Sequence, residues 1–299
     1  MPGPTRFNPG TLWEAIAERS RTALALGTLQ PIATDAHAID DGGVRFQVRV
    51  VSSLMRRRLD AARARSAGAK PANPFLPYEE SMFVADVSDS HVCLLNKYPV
   101  IDHHTLIVTR DFEPQESPLN LQDFEALWRC LREYRALGFY NGGAGAGASQ
   151  PHKHLQLAPL PLADSRSLPI EPLLAQPAEN DRPRSLASIP YAHSYAALDP
   201  ARVQTSDAAA RYTLDLYRTM LAATGMVQGP DLPPLLPPYN LLITPTFILL
   251  IPRSRSSFGA IPVNALGFAG SFFVPDPEGF IAIRRIGPME LLRQVTPRK

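Results

Sequence analysis

Apolar residues recur at a loose helical spacing near the start of the chain, at Leu12, Ile16, Ala17, Ala23, Leu24 and Leu26, and the pattern stops at Gly27. This predicts an amphipathic helix. From Val44 to Leu54 the spacing changes: the first half alternates apolar and polar, the period of a strand with one buried face, and the run ends at Arg56, Arg57 and Arg58. Short β-branched or aromatic runs predict further strands at Met82 to Val87, His91 to Leu95 and Thr105 to Thr109. Phe124, Leu127, Trp128, Leu131, Tyr134 and Ala136 share a face and predict a helix over Phe124 to Leu137, stopped by Gly138. Ala208 to Thr224 reads as another helix. Tyr239 to Ile251 reads as strand broken at Thr244-Pro245-Thr246, and a short helix around Pro288 to Val295 closes the chain. No internal repeat is evident.

Between these elements lie a basic stretch, Leu59 to Ala72, and a proline-rich polar stretch, Pro161 to Pro190, that reads as a connector. The expected organisation is an N-terminal catalytic region over 1–165, a connector over 166–190 and a C-terminal region over 191–299 that completes the site. The 31 prolines each remove a backbone donor and fix φ, so helices should be few and short around a sheet-centred core.

Composition narrows the class. Hydrophobic residues at 45% and charged residues at 19% of 299 suit a folded globular chain of one or two domains. A net charge of +2 argues against nucleic acid as a partner, which calls for a strongly basic face. No run approaches the roughly 18 apolar residues of a membrane span, and Glu14 and Glu18 interrupt the first apolar pattern, against a signal peptide. Cys93 and Cys130, the two cysteines of the sequence, have no ligand-like spacing, so neither a disulfide framework nor a cysteine zinc site is indicated and a reducing cytoplasm fits best.

The densest chemistry lies in Asn141-Gly-Gly-Ala-Gly-Ala-Gly-Ala-Ser-Gln-Pro-His-Lys-His-Leu-Gln156. If His152 to Leu157 is extended, His152, His154 and Gln156 share one face and Lys153, Leu155 and Leu157 the other. Three polar side chains in a row are costly unless they face a ligand or a wet cleft. The glycines at 142, 143, 145 and 147 let the backbone approach an anion and turn N–H groups toward it. Neither a dinucleotide-binding fingerprint nor a P-loop fits, because Pro151 leads into a strand and no Gly-Lys-Ser/Thr follows. Two histidines two residues apart also suit a metal site, with His91, His103, His104 or His193 as a third ligand.

The run Asn141 to Gln156 resembles the diadenosine tetraphosphate phosphorylase, or ATP adenylyltransferase, branch of the histidine triad superfamily, whose motif is Gly-Ser/Ala-Ser-Gln-x-His-Lys-His-Leu-Gln. Val50 to Leu54, Asn73 to Tyr78, Leu95 to Val100, Tyr239 to Leu242 and Leu266 to Gly270 are similar to the same family, so the resemblance spans nearly the whole chain. It implies an α+β fold: a histidine-triad-like antiparallel sheet with flanking helices and a C-terminal region completing the fold. It also implies nucleotidyl transfer, with phosphorolysis of diadenosine tetraphosphate to ATP and ADP through an adenylyl-histidine.

The resemblance makes His154 the nucleophile, flanked at the phosphate by His152 and Gln156. The family holds the nucleophile's other ring N–H on a backbone carbonyl. Gln156 stands where hydrolytic relatives carry a third histidine, which turns the expectation toward transfer. Ser149, Gln150, His152, Gln156 and the N–H groups near Gly147 and Ala148 are the candidate phosphate donors, with turn capping the other reading of Ser149 and Gln150. Asn141 contacts nucleotide or braces the loop. Asn96, Lys97 and Asn240 fall in matched segments near the nucleotide, and Arg57 with Arg58 and Lys70 meets the outer phosphates or forms a solvated basic loop. His103 and His104 are read as the start of a strand and His193 as structural. Mg2+ is expected to accompany the nucleotide, with no tightly bound cofactor and no protein metal cage. The partners are nucleotides and inorganic phosphate, and the oligomeric state is open. Competing readings are a sister transferase using adenylyl sulfate or a nucleoside-diphosphate sugar, a nucleotide sensor without turnover, and a metal-binding β-protein.

Overall fold

The computed structural model describes residues 7–52, 73–162, 168–175, 182–229 and 231–298. Arg57, Arg58 and Lys70 lie outside the described residues, as does the end of the strand expected to reach Leu54.

In chain order, helix α1 (Leu12–Ala25) precedes the hairpin β1 (Thr34–Asp41) and β2 (Val44–Val51). Strands β3 (Phe83–Asp86), β4 (His91–Leu95) and β5 (Thr105–Thr109) lead to helix α2 (Leu121–Leu131). Next come β6 (Ala136–Gly142), β7 (His154–Pro159), the short α3 (Glu171–Leu174), β8 (Ser194–Ala197) and α4 (Ser206–Ala223). The chain ends with β9 (Tyr239–Ile243), β10 (Phe247–Pro252), β11 (Ser257–Phe258), β12 (Ile261–Pro262), α5 (Ala265–Phe268), β13 (Ser271–Val274), α6 (Pro277–Ile286) and α7 (Pro288–Gln294).

Strands β3 to β10 form one eight-stranded sheet in the order β3-β4-β5-β7-β6-β9-β10-β8, antiparallel at each pairing. The C-terminal strands thus complete the sheet begun by the N-terminal ones, and the expected α+β class with a large antiparallel sheet is what the chain adopts. A second sheet, β1-β2-β13, pairs β2 with β13 in parallel.

Strand alternation sends the apolar side chains of the sheet to opposite faces. Leu155 and Leu157 of β7, Tyr140 of β6 and Leu241 of β9 pack with Leu12 and Ile16 of α1, Phe124 and Trp128 of α2, and Tyr217 of α4. On the opposite face, Phe139, Leu242 and Leu249 pack against Val48 and Phe272 of the small sheet and Phe268 of α5. Each of these large side chains contributes about 1.5–3 kcal/mol when removed from water. The proline-based expectation of short helices fails at α4, which runs for 18 residues without a proline. Prolines fall instead at element boundaries as well as in loops: Pro277 and Pro288 open α6 and α7, and Pro159 and Pro252 close β7 and β10. The helix expected over Phe124 to Leu137 ends at Leu131, and Ala136 and Leu137 begin β6.

Candidate active site

Strand β7 lies between β5 and β6, with Val108 opposite His154 and both Leu106 and Phe139 opposite Gln156. Pairing on both sides fixes its position, and His154 and Gln156 face a cavity of about 560 Å³ between the large sheet and the edge of β2 and β13. Lys153, Leu155 and Leu157 point the other way, as alternation requires. The Lys153 side chain is fully buried and pairs with Asp123 at 2.6 Å and Glu113 at 3.0 Å.

The His154 ring is held through Nδ1, 2.8 Å from the carbonyl of His152. A carbonyl only accepts, so the proton sits on Nδ1 and the Nε2 lone pair is left unprotonated. Burial pulls the His154 pKa down to about 4, opposed by the His152 carbonyl, and the ring is neutral at physiological pH. Its backbone N–H donates to Gln115 Oε1 at 2.8 Å, while Gln115 Nε2 donates to the carbonyls of Asn141 and His154 at 2.9 and 3.2 Å. Gln115, buried and carried in no recognisable motif, substitutes for ladder bonds where β6 and β7 splay to release the glycine loop.

His152 departs from the expectation. It precedes β7, joined to Pro114 only by an isolated bridge, and both ring nitrogens are engaged within the protein. Nε2 donates to the carbonyl of Thr109 at 2.9 Å and Nδ1 accepts from Asn73 Nδ2 at 3.0 Å. Phe75 lies against both imidazoles, with ring centroids 5.6 Å from His152 and 5.4 Å from His154, so the two share a face as expected. Yet it is the His152 carbonyl, not its ring, that bonds His154.

The glycine loop also differs. The N–H groups of Gly147 and Ala148 donate to the carbonyls of Ala144 and Gly143 at 3.0 and 3.2 Å, which corrects their assignment as anion donors. Ser149 and Gln150 line the cavity, and their N–H groups have no partner among the described residues. The open donors therefore lie two residues further along.

The glycines serve the packing of the loop. At Gly147, φ is +90°, and a Cβ would stand 2.9 Å from the Val263 carbonyl oxygen. Gly147→Ala is expected to cost about 2 kcal/mol or more from strain and overlap, read as a lowered unfolding midpoint; an unchanged midpoint would contradict this reading of the loop.

Asn240 is corrected as well. It is wholly buried, with Nδ2 on Asn141 Oδ1 and the Ala146 carbonyl at 2.8 and 2.9 Å, and Oδ1 accepting from Arg253. It braces the loop and does not line the cavity. Asn141 lines the cavity, but its Oδ1 also accepts from Ala265 N at 2.9 Å, so it acts as a brace. Arg253 was not singled out from the sequence; its guanidinium ties the carbonyls of Ala146, Arg255, Val263 and Val295 into one junction. Asn240→Leu is expected to loosen this junction and destabilise the fold by about 2–3 kcal/mol in denaturant unfolding, since it strands buried partners.

Asn96 and Lys97 line the cavity, and Lys97 pairs with Glu79. Arg49 of β2, another residue passed over in the sequence, brings a cation to the same wall. His104 immediately precedes β5 as expected, yet its ring also lines the cavity, with Nε2 3.0 Å from Gln156 Oε1. His103 bonds Ser20 and His193 bonds the backbone of Leu186 and Tyr191, both away from the cavity. Among the described residues no three His, Cys, Asp or Glu side chains group as a metal site.

This geometry is accompanied by matches that cover nearly the whole chain. The profile of the Ap4A phosphorylase N-terminal domain matches residues 3–176, and that of the ATP adenylyltransferase C-terminal domain matches residues 187–297. The chain belongs to the Ap4A phosphorylase family. Among curated relatives, it is 28% identical over 239 residues to diadenosine tetraphosphate phosphorylase 2 of Saccharomyces cerevisiae, covering 72% of each chain. It is 25% identical over 297 residues to the protein APA1 of the same yeast, covering 92% of this chain and 90% of that one. The crystal structure of yeast Ap4A phosphorylase Apa2 superposes with a TM-score of 0.78 at 24% identity, over 98% of this chain and all of the other. The same protein in complex with Ap4A gives 0.75 at 22% identity, over 97% and 98%. The Ap4A phosphorylase fold and a nucleotidyltransferase identity follow.

Proposed function

We propose that this chain phosphorolyses diadenosine tetraphosphate to ATP and ADP through an adenylyl group carried on His154. The observation that carries the reading is the His154 tautomer: Nδ1 is engaged by a backbone carbonyl and Nε2 is left with its lone pair at the cavity. In the first step Nε2 attacks the α-phosphorus, a P–N bond forms, and the P–O bond to the polyphosphate breaks to release ATP. The positive charge that develops on the ring is stabilised through Nδ1–H by the His152 carbonyl. ATP leaves as a stable anion and needs little protonation. Phosphate then takes the adenylyl group from His154, giving ADP and restoring the neutral ring. Donors for the phosphoryl oxygens are Gln156, Ser149 and Gln150, with Arg49 and Lys97 as cations on the same wall.

Transfer is favoured over hydrolysis because neither cavity-side imidazole other than His154 offers a free base among the described residues. The nitrogens of His152 and His104 are all hydrogen-bonded, so neither ring is open to deprotonate a water, whereas phosphate arrives already ionised. We assign Mg2+ to the polyphosphate, since the cavity's one described carboxylate, Glu79, is paired with Lys97. Two buried free thiols suit a reducing cytoplasm, and no described helix is long and apolar enough to cross a membrane.

Product analysis tests the reaction. Ap4A with phosphate is expected to yield ATP and ADP, with turnover lost when phosphate is omitted; ATP and AMP formed equally well in its absence would contradict phosphorolysis. Adenylyl sulfate and nucleoside-diphosphate sugars in parallel assays report substrate preference.

Because the His154 pKa lies near 4, the nucleophile stays neutral well below the usual histidine value of about 6.5. kcat/KM is expected to hold from neutral pH to about 5 and to fall only as pH approaches 4, in the range where the fold survives. An acid limb centred near 6.5 would contradict the buried, neutral nucleophile.

A further inference from the structure

A chain of hydrogen bonds behind Gln156 has only one consistent direction. The Tyr98 backbone N–H donates to Asn96 Oδ1 at 3.2 Å, and a backbone amide cannot accept through nitrogen. Asn96 is thereby turned with Nδ2 toward His104, 3.1 Å from Nδ1. Because Nδ2 only donates, His104 Nδ1 must accept, and the proton of the neutral ring belongs on Nε2. That proton is donated to Gln156 Oε1 at 3.0 Å. The end of Gln156 that remains is Nε2, a pure donor, on a side chain lining the cavity one strand repeat from His154.

We propose that Asn96 and His104 are positioning residues that lock the Gln156 amide with its NH2 end toward the reacting phosphorus, as an obligate donor to a non-bridging phosphoryl oxygen. An unrestrained glutamine can present its carbonyl instead, which repels the phosphoryl oxygens. Phe139 packs against the His104 ring at 5.6 Å between centroids and limits its rotation. Burial, reinforced by neighbouring His154, pulls the His104 pKa down to about 4 against the pull of its Gln156 bond. The ring therefore stays neutral near pH 7, and Nδ1 remains an acceptor. The lock concerns the transfer reaction proposed above and rests on that reading.

Two measurements on the full chain test it. In protein labelled with nitrogen-15 histidine, His104, assigned by its loss in His104→Phe, is expected to appear at pH 7 with Nε2 protonated and Nδ1 bare. A protonated Nδ1 would overturn the relay whatever the enzyme's activity. For function, His104→Phe is expected to slow single-turnover adenylyl transfer from Ap4A on the order of tenfold to a hundredfold, with KM changed less than about threefold. In a Gln156→Ala background the same substitution is expected to add almost nothing, because its effect runs through Gln156. An unchanged rate in His104→Phe, or losses that multiply in the double variant, would overturn the proposal. Failure of the unsubstituted chain to become adenylylated would instead overturn the reaction, while the tautomer spectrum would still decide the hydrogen-bond relay.

Discussion

His154→Ala is expected to lower kcat/KM for Ap4A by at least about 10⁴-fold and to leave no covalent adenylylation, while the fold survives. The magnitude follows from the role: removal of a nucleophile eliminates the two-step route and leaves only binding and preorganised donors. The fold should tolerate the change because the imidazole lies on the cavity wall and, among the described residues, its ring bonds only the His152 carbonyl. Steady-state kinetics with purified variant, alongside a thermal melt, measure both. A variant that retains more than about a hundredth of the activity would place the nucleophile elsewhere.

Lys153→Met is expected to destabilise the chain by about 3–5 kcal/mol, a large part of the 5–15 kcal/mol typical of a folded domain. Lys153 and Asp123 are both fully buried and meet at 2.6 Å behind β7. Asp123 also accepts from His91 Nε2 at 3.0 Å and, within the capping box of α2, from Asn120 N at 2.8 Å. Burial pushes the Asp123 carboxyl up, but His91 and Lys153 outweigh it and hold it below the ordinary carboxylate value. Removing the ammonium leaves a buried carboxylate short of its cation. Asp123→Asn added to Lys153→Met should recover part of the loss, since the stranded charge disappears while an amide still serves the cap. Denaturant unfolding of both variants checks this; a cost under about 1 kcal/mol for Lys153→Met, or a double variant weaker than the single, would contradict it.

The elements legible in the sequence were those whose burial imposes a strong pattern. β4 and β5 fall on the expected residues, and the break between β9 and β10 falls at Thr244-Pro245-Thr246 as read. β1 escaped notice because, at the edge of the small sheet, it pairs only with β2 and its residues are largely exposed. β13 and α6 also passed unrecognised. Ala136 and Leu137 are good helix formers, yet pairing with β7 and β9 draws this segment into the sheet, so tertiary contact overrides local preference.

The site was legible in one strand and obscure around it. Alternation placed His154 and Gln156 on one face and Lys153 on the other because the period of a strand fixes this. The occupied nitrogens of His152, the bracing role of Asn240 and the internal bonds of Gly147 and Ala148 depend on partners distant in sequence. Gln115, Arg253 and the His104 ring were missed for the same reason: each acts through contacts that neither spacing nor composition reveals.

The proposed reaction stands on a covalent adenylyl-His154. Incubation of the chain with Ap4A labelled in the adenylyl phosphate, without inorganic phosphate, followed by peptide mapping, tests it most directly. The predicted result is an acid-labile, alkali-stable label on His154, absent from His154→Ala and discharged as ADP when phosphate is added. No label during turnover, or label on another residue, would contradict the account.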